Sequence, residues 1–247
     1  MTGALLICRA FLVLIGPFAG DYAATFAVGW PRLPRPIVGR SECAICGAPI
    51  AARDAVPVIS WLAKRGARSC CGGRIPIAYP LGEVAGLISG LAAVLAPTPL
   101  AAAWVFALGL TLTYIALVDL RRFSIPVPGL MMLGLLLIAR VAIDGQAGEI
   151  APRLATAAVL ALAFAALRRL ASRGGRAGLG GGDIVLAAVL GALVNWRLAS
   201  VMVSLAAAIP LLVQYTRRQF GPTPFGFWLS ASAGLLLLVE SLSKLIE

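Results

Sequence analysis

The stretch Gly178-Leu179-Gly180-Gly181-Gly182-Asp183 organises the sequence around it. Four glycines precede a single acid, and an apolar run over residues 184–194 follows the acid. Glycine lets a backbone approach its neighbours closely and adopt positive φ angles. An acidic side chain at the mouth of an apolar segment is costly to bury, so it usually has a partner or a function. The simplest interpretation is that Asp183 caps a helix and that the glycines form the loop before it.

The composition is typical of an integral membrane protein. Of the 247 residues, 60% are hydrophobic and only 13% are charged, and the charged share is about half that of soluble domains. The chain has no histidine, which excludes Ser-His-Asp and Cys-His catalysis and histidine-ligated zinc. Only two lysines occur, Lys64 and Lys244, so a Ser-Lys dyad has almost no candidates.

Eight apolar segments predict about eight transmembrane helices. The first, at about 4–28, contains Arg9 and has no basic region before it, so we expect a retained helix rather than a cleaved signal peptide. A span needs about 20 apolar residues, and one segment, 184–197, is shorter. The other seven segments lie at roughly 81–96, 99–119, 126–143, 152–170, 184–197, 198–216 and 223–243.

Residues 30–79 differ from the rest of the chain. They contain prolines, glycines, eight basic residues and four of the five cysteines, which predicts a small, water-exposed loop domain. The sequence therefore predicts an all-α polytopic membrane protein in three parts. These are a first transmembrane helix (1–29), a cytoplasmic cysteine-containing loop domain (30–79) and a transmembrane core (80–247).

Basic residues predict the orientation. If the loop 30–79 is cytoplasmic, sixteen of the 21 basic residues lie at cytoplasmic ends, as the positive-inside rule requires. Both termini then lie outside. The formal net charge of +11 is accounted for by topology and suits anionic membrane lipid, and no nucleic-acid partner is expected.

A second acid, Asp119, stands at the cytoplasmic end of the third span. Asp183 begins its own span from the same side, so the two acids should lie at one membrane depth. Two carboxylates held close together share a proton. One can act as general base on a water while the other protonates the attacked carbonyl. The alternative is that Asp119 pairs with Arg121 or Arg122 and that Asp183 only caps its helix.

These residues resemble the type IV prepilin peptidases, the leader peptidase/N-methyltransferases among the GxGD-type membrane aspartyl proteases. The glycine run with Asp183 is similar to the family's G-x-G-x-G-D signature. Asp119 followed by Ile125-Pro126 is similar to its first catalytic motif. Further resemblances lie at 55–62, at 75–83 and at 223–227.

The resemblance implies an aspartic endopeptidase of the bacterial inner membrane. Asp119 and Asp183 would be the catalytic residues, and the active-site loop would consist of Gly178, Gly180, Gly181 and Gly182. The substrate would be the leader of a type IV prepilin, or of a pilin-like secretion subunit. It would be cut at the cytoplasmic face after a glycine, just before an apolar helix. The family also methylates the new N-terminus from S-adenosylmethionine, but no nucleotide-binding glycine fingerprint supports that activity here.

The cysteines suggest a structural metal site. Cys43 and Cys46 form a CxxC pair, and Cys70 and Cys71 form an adjacent pair; four thiolates suit tetrahedral zinc. The family usually has a second CxxC at this place, and Arg68 stands where its first cysteine would be. Either Cys70 substitutes in a zinc site, or the site is degenerate and packing holds the loop. A disulfide is not expected in the cytosol.

Two other function classes fit the same residues. A transporter or channel could use Asp119 and Asp183 as a proton or cation path, although neither acid lies at mid-membrane. A non-catalytic assembly factor for a pilus or secretion system could use the 30–79 loop for docking, although it would not need an intact acid pair.

Overall fold

The computed structural model describes residues 3–32, 42–144, 150–173, 179–194, 196–218 and 223–246. Within these ranges the protein is helical and has no β-strand; two isolated bridges join Glu42 to Pro49 and Ala67 to Arg74. A short 3-10 helix spans Ala52–Asp54. The α-helices of the described ranges are α1 (Gly3–Gly29), α2 (Ile59–Ala63), α3 (Ala78–Val94), α4 (Pro99–Arg122), α5 (Val127–Asp144), α6 (Ile150–Arg173), α7 (Gly181–Leu193), α8 (Trp196–Arg217) and α9 (Phe225–Ile246).

Eight of these helices correspond to the eight apolar segments, which confirms the predicted all-α membrane architecture. Four are long and apolar enough to cross a membrane: Leu5–Gly29, Pro99–Arg122, Ile150–Arg173 and Trp196–Thr216. The other four apolar helices, α3, α5, α7 and α9, offer shorter apolar stretches. The predicted segment 184–197 is displaced, because α7 begins three residues earlier and ends at Leu193.

Helix α4 is the centre of the bundle. It packs against α1, α3, α5 and α9. In the 18-residue apolar stretch of each helix, 61% is buried for α4 but only 11% for α6. The main hydrophobic core includes Leu112 and Ile115 of α4, Leu186 and Leu190 of α7, and Leu229 of α9. Helices α7 and α9 begin at the end of the bundle where α4 finishes, because Gly182 and Gly226 both lie against Ile125, which follows α4.

Helices α1 and α3 touch through their backbones. Gly16 and Gly20 of α1 lie against Gly82 and Gly86 of α3, and a Cβ on Gly16 would lie 2.5 Å from the carbonyl oxygen of Gly86. Small residues allow such close helix pairs in membranes, where van der Waals packing takes over from the hydrophobic effect.

The described part of the loop domain, which begins at residue 42, folds around Trp61 and joins α3. The Trp61 indole nitrogen donates to the Ile75 carbonyl at 3.4 Å, and Gly66, with φ of +74°, lies against the indole ring. The Val58 amide donates to Glu83 Oε2 of α3 at 2.6 Å. This contact ties the loop domain to the membrane helices.

Candidate active site

Asp119 lies in the last turn of α4 and is almost fully enclosed, with 4% of its surface exposed. Its Oδ2 atom accepts a hydrogen bond from the backbone amide of Phe227, at 3.0 Å, where α9 begins. Helix α4 ends three residues later. There Phe123 adopts a left-handed conformation, and its amide bonds the Asp119 carbonyl. Burial without an amide partner would be costly for a carboxyl group, so the start of α9 makes this position tenable.

Asp183 lies in the first turn of α7 and is half-buried. Its Oδ2 atom accepts from the Gly180 amide at 2.9 Å, one of the amides that a helix start leaves without an intrahelical partner. Asp183 therefore caps α7 from the third helical position and not from the N-cap position considered from the sequence, which Gly180 occupies. This capping does not compete with a chemical role, because a carboxylate has two oxygens and about four acceptor sites.

The glycine run differs from the predicted loop. Gly181 and Gly182 belong to the first turn of α7, and Gly180 precedes it with an ordinary φ of −69°. No described glycine of this run has a positive φ; Gly178 lies outside the described residues. The loop prediction for Gly181 and Gly182 is corrected on this point, because Asp183 caps the helix three residues after Gly180.

These glycines are explained by close contact with neighbouring residues rather than by unusual backbone angles. A Cβ on Gly182 would lie 2.8 Å from Ile125 Cβ, and a Cβ on Gly226 would overlap the end of the same Ile125 side chain. Ile125 follows α4, Gly182 begins α7 and Gly226 begins α9. One isoleucine thus fits between two glycines and brings together the three helix ends that carry the acids and the Phe227 amide.

The two acids lie at the same end of the bundle, although 64 positions separate them in the sequence. Ile125 lies against Gly182, which precedes Asp183, and against Gly226, where a Cβ would lie 3.1 Å from Asp119 Oδ2. Among the described residues, the ion pairs join Asp54 to Arg53 and Lys64, and none joins Asp119 to Arg121 or Arg122. The alternative in which Asp119 only neutralises a neighbouring arginine is therefore not observed.

Two features of the site were not predicted. The Phe227 amide belongs to the backbone, so its contact with Asp119 could be identified only from the position of α9. In the sequence, Arg168 is one of the sixteen basic residues that indicate the membrane orientation, yet its guanidinium lies so close to α7 that a Cβ on Gly181 would be 3.0 Å from Nη1. An unusual density of arginines at 168, 169 and 173 was the available signal.

The four loop cysteines lie together, with their Sγ atoms all within 4.8 Å of one another. The Sγ distances are 3.8 Å for Cys43–Cys71, 3.4 Å for Cys46–Cys70 and 3.9 Å for Cys70–Cys71. A tetrahedral zinc with Zn–S bonds of about 2.3 Å places its sulfurs about 3.8 Å apart. The adjacent pair therefore fits such a site, and the cluster could hold a metal ion.

Local hydrogen bonds give these thiols different pKa values. The backbone amides of Cys46 and Ile45 lower the pKa of Cys43 to about 6. Hydrogen bonding to Cys46 and Cys43 raises the pKa of Cys70 to about 12. Arg68 stands where the family usually has a cysteine. Its Nη1 atom lies 3.8 Å from Cys43 Sγ, so its positive charge favours a thiolate at Cys43.

Two family models match the chain. Residues 14–96 match the bacterial peptidase A24 N-terminal domain, and residues 105–216 match the type IV leader peptidase family. The chain belongs to the type IV leader peptidase family. It is therefore a peptidase, as the glycine–aspartate run and the paired acids predicted, and the match favours this over a transporter or a non-catalytic assembly factor.

Relatives of the same kind cover most of the chain. A prepilin leader peptidase/N-methyltransferase of Aeromonas hydrophila is 31% identical over 82% of this chain and 72% of its own length. That of Dickeya chrysanthemi is 32% identical over 92% and 80%. That of Burkholderia pseudomallei is 32% identical over 93% and 76%. No solved structure matches the chain.

Proposed function

We propose that this protein is a membrane aspartic endopeptidase that removes the leader of type IV prepilins or pilin-like secretion subunits. Asp119 and Asp183 are the catalytic residues in this proposal. The observation that carries it is the convergence of these two acids, from α4 and α7, at one end of the bundle. Each is held there by one backbone amide.

The proposed chemistry is hydrolysis by a proton-sharing acid pair. One carboxylate takes a proton from a water, whose oxygen forms a bond to the scissile carbonyl carbon. The other carboxyl gives its proton to the carbonyl oxygen. The tetrahedral intermediate then loses the C–N bond, and the leaving amine takes a proton from the pair. No histidine or metal is needed, and the proposal does not assign the general base to one aspartate and the general acid to the other.

The site suits a cut at the membrane surface. In this proposal, which follows the positive-inside rule, the end of α4 and the starts of α7 and α9 face the cytoplasmic side of the inner membrane, where a basic leader meets an apolar helix. In the same proposal the chain divides into the first helix (1–29), the cytoplasmic loop domain (30–79) and the aspartyl peptidase core (80–247). The glycines at 178, 180, 181 and 182 let an extended peptide approach the helix starts.

Two cofactors belong to this proposal. Cys43, Cys46, Cys70 and Cys71 hold a structural zinc, which holds the loop domain together and takes no part in peptide hydrolysis. N-methylation of the new N-terminus would require S-adenosylmethionine. The relatives carry that activity in their names, and it is the second reaction to test.

Co-expression with candidate prepilins tests the proposal. Mass spectrometry of each pilin reads leader removal and N-terminal methylation in one spectrum. We expect cleavage after a glycine in cells carrying the chain and none in cells carrying the empty vector. Correctly inserted protein that leaves every prepilin intact, and that instead conducts protons in liposomes, would support the transporter.

A further inference from the structure

A long groove begins beside the acid pair. It has a volume of about 670 Å³, with α4 as its floor and α3 and α9 as its walls. One end is formed by Leu117 and Phe227, next to Asp119; the far end lies by Trp104, Arg140 and Arg153. At 1.5 Å per helical residue, the floor from Trp104 to Leu117 is about 20 Å long, roughly two-thirds of a hydrocarbon core.

The lining of the groove suits a helix. It is mostly apolar and includes small residues on each side, among them Ala85 on α3, Ala116 on α4 and Gly234 on α9. Gly234 faces open space, since a Cβ there would meet nothing nearer than Leu112 Cδ1 at 4.0 Å. Small residues are what allow a second backbone to approach in a membrane.

Ser230 is an independent sign of a ligand in this groove. It lines the groove one turn beyond Phe227, is 1% exposed, and its hydroxyl has no hydrogen-bond partner. The neighbouring Ser89 and Thr113 instead bond the carbonyl four residues earlier. An unsatisfied buried hydroxyl costs stability, which a ligand with a polar backbone would relieve.

We infer that this groove binds the apolar helix of the substrate, the helix that follows the scissile bond. The inference rests on the proposed function and assigns the membrane part of substrate recognition to α3, α4 and α9. The substrate helix lies along α4 with its N-terminus at Asp119. The Ser230 hydroxyl donates to a substrate carbonyl in the first turn after the cut.

Charge at the two ends favours this direction. A helix carries partial positive charge at its N-terminus and partial negative charge at its C-terminus. The acid pair lies at the near end of the groove. Arg140, stacked 5.0 Å from the centre of the Trp104 ring, and Arg153 lie at the far end. The reversed direction would place like charges together at both ends.

The test fills the groove and measures substrate preference. Gly234→Leu places a side chain in the groove, and Gly134→Leu is the matched control, because Gly134 on α5 faces open space outside the groove. Each variant receives a full-length prepilin in vesicles and a peptide that ends a few residues after the cut. We expect Gly234→Leu to lower the preference for the full-length substrate, as a ratio of kcat/KM values, by about tenfold. Gly134→Leu should keep the wild-type preference.

A crosslinking arm measures binding without cleavage. A photo-reactive amino acid replaces Leu235, a groove residue that is 51% exposed, or Leu135, which is 61% exposed and lies outside the groove, in an Asp183→Asn background. Crosslinks to the substrate's apolar segment from position 235 and not from 135 support the inference. Ser230→Ala should lower the same preference while leaving the melting temperature unchanged or higher, because it removes an unsatisfied group.

The outcomes separate this inference from the proposed function. An unchanged preference in Gly234→Leu, or crosslinks from position 235 to lipid alone, overturns the groove assignment while peptidase activity stands. An equal loss on both substrates also overturns it, because the variant has then damaged the catalytic end. Failure of the wild-type protein to cleave either substrate contradicts the proposed function itself.

Discussion

Two backbone amides hold the acid pair, one from Phe227 on Asp119 and one from Gly180 on Asp183. Only a substitution by proline would remove either donor, and proline would also constrain the backbone there. The glycines that allow these amides to come close can be changed. Gly226 is the sharpest such position, since a Cβ there would lie 3.1 Å from Asp119 Oδ2 and would overlap the end of Ile125.

Gly226→Ala should therefore impair catalysis more than folding. Displacing a catalytic group by about 1 Å can cost roughly 100-fold in rate, so we expect a loss of about 10- to 100-fold in prepilin cleavage. The melting temperature should fall little, because the start of α9 can shift. Gly134→Ala, where a Cβ meets nothing within 4 Å, is the control, and equal activity in the two variants would contradict the role given to Gly226.

At this scale the sequence could predict side chains but not backbone contacts. Asp119 and Asp183 could be proposed from the sequence because an acid at the end of an apolar segment is rare and both were predicted to lie at one membrane depth. The Phe227 amide has no signature of its own, since every residue except proline has an amide. The role of Gly182 was also hidden, because only the packed structure shows that Ile125 lies against it.

Among the helices, the α1–α3 pair depends most directly on glycine. A Cβ on Gly20 would overlap the backbone carbonyl of Gly82, and a backbone oxygen cannot move unless its helix moves. We expect Gly20→Ala to destabilise the protein by roughly 1–3 kcal/mol, as overpacking commonly does.

Thermal unfolding in detergent measures this effect. Gly3→Ala is the control, because Gly3 has open space around it. A melting temperature for Gly20→Ala equal to that of Gly3→Ala would show that α1 and α3 separate without cost.

The cysteine cluster belongs to the loop domain as a unit. Four thiolates are needed for a closed structural zinc site, so Cys46→Ser and Cys70→Ser should each lower the zinc content of the purified protein. Cys8→Ser should leave it unchanged, since Cys8 lies in α1 and outside the cluster. Elemental analysis measures the number of zinc ions per protein chain. Wild-type protein without zinc would favour a loop held by packing alone.

Helix limits were predictable where composition changes sharply and uncertain where it does not. The segment predicted to end at residue 119 ends three residues later, at Arg122, after two arginines and shortly before Pro126. The start of α7 was predicted too late, because glycines are poor helix formers. Capping by Asp183 overrides that propensity at Gly181 and Gly182.

Across the whole molecule, α4 connects the parts that a leader peptidase of this kind needs. Its C-terminal end carries Asp119, its length forms the floor of the groove, and its other faces pack on α1, α3, α5 and α9. Apolar patterning was sufficient to predict a bundle of about eight helices. It could not show which helices are neighbours, because a helix face that contacts lipid and one that contacts another helix are both apolar. The groove therefore emerged only from the structure.

The central claim is that Asp119 and Asp183 together hydrolyse the leader. The direct measurement is cleavage of a purified prepilin by Asp119→Asn and Asp183→Asn, with Glu42→Gln as a control that removes an exposed acid of the loop domain. Each asparagine keeps the shape of the side chain but cannot exchange the proton. Both variants should fold normally and lose cleavage by about 10²–10⁴-fold, the range for general acid–base catalysis. Full cleavage by either folded variant would contradict the account.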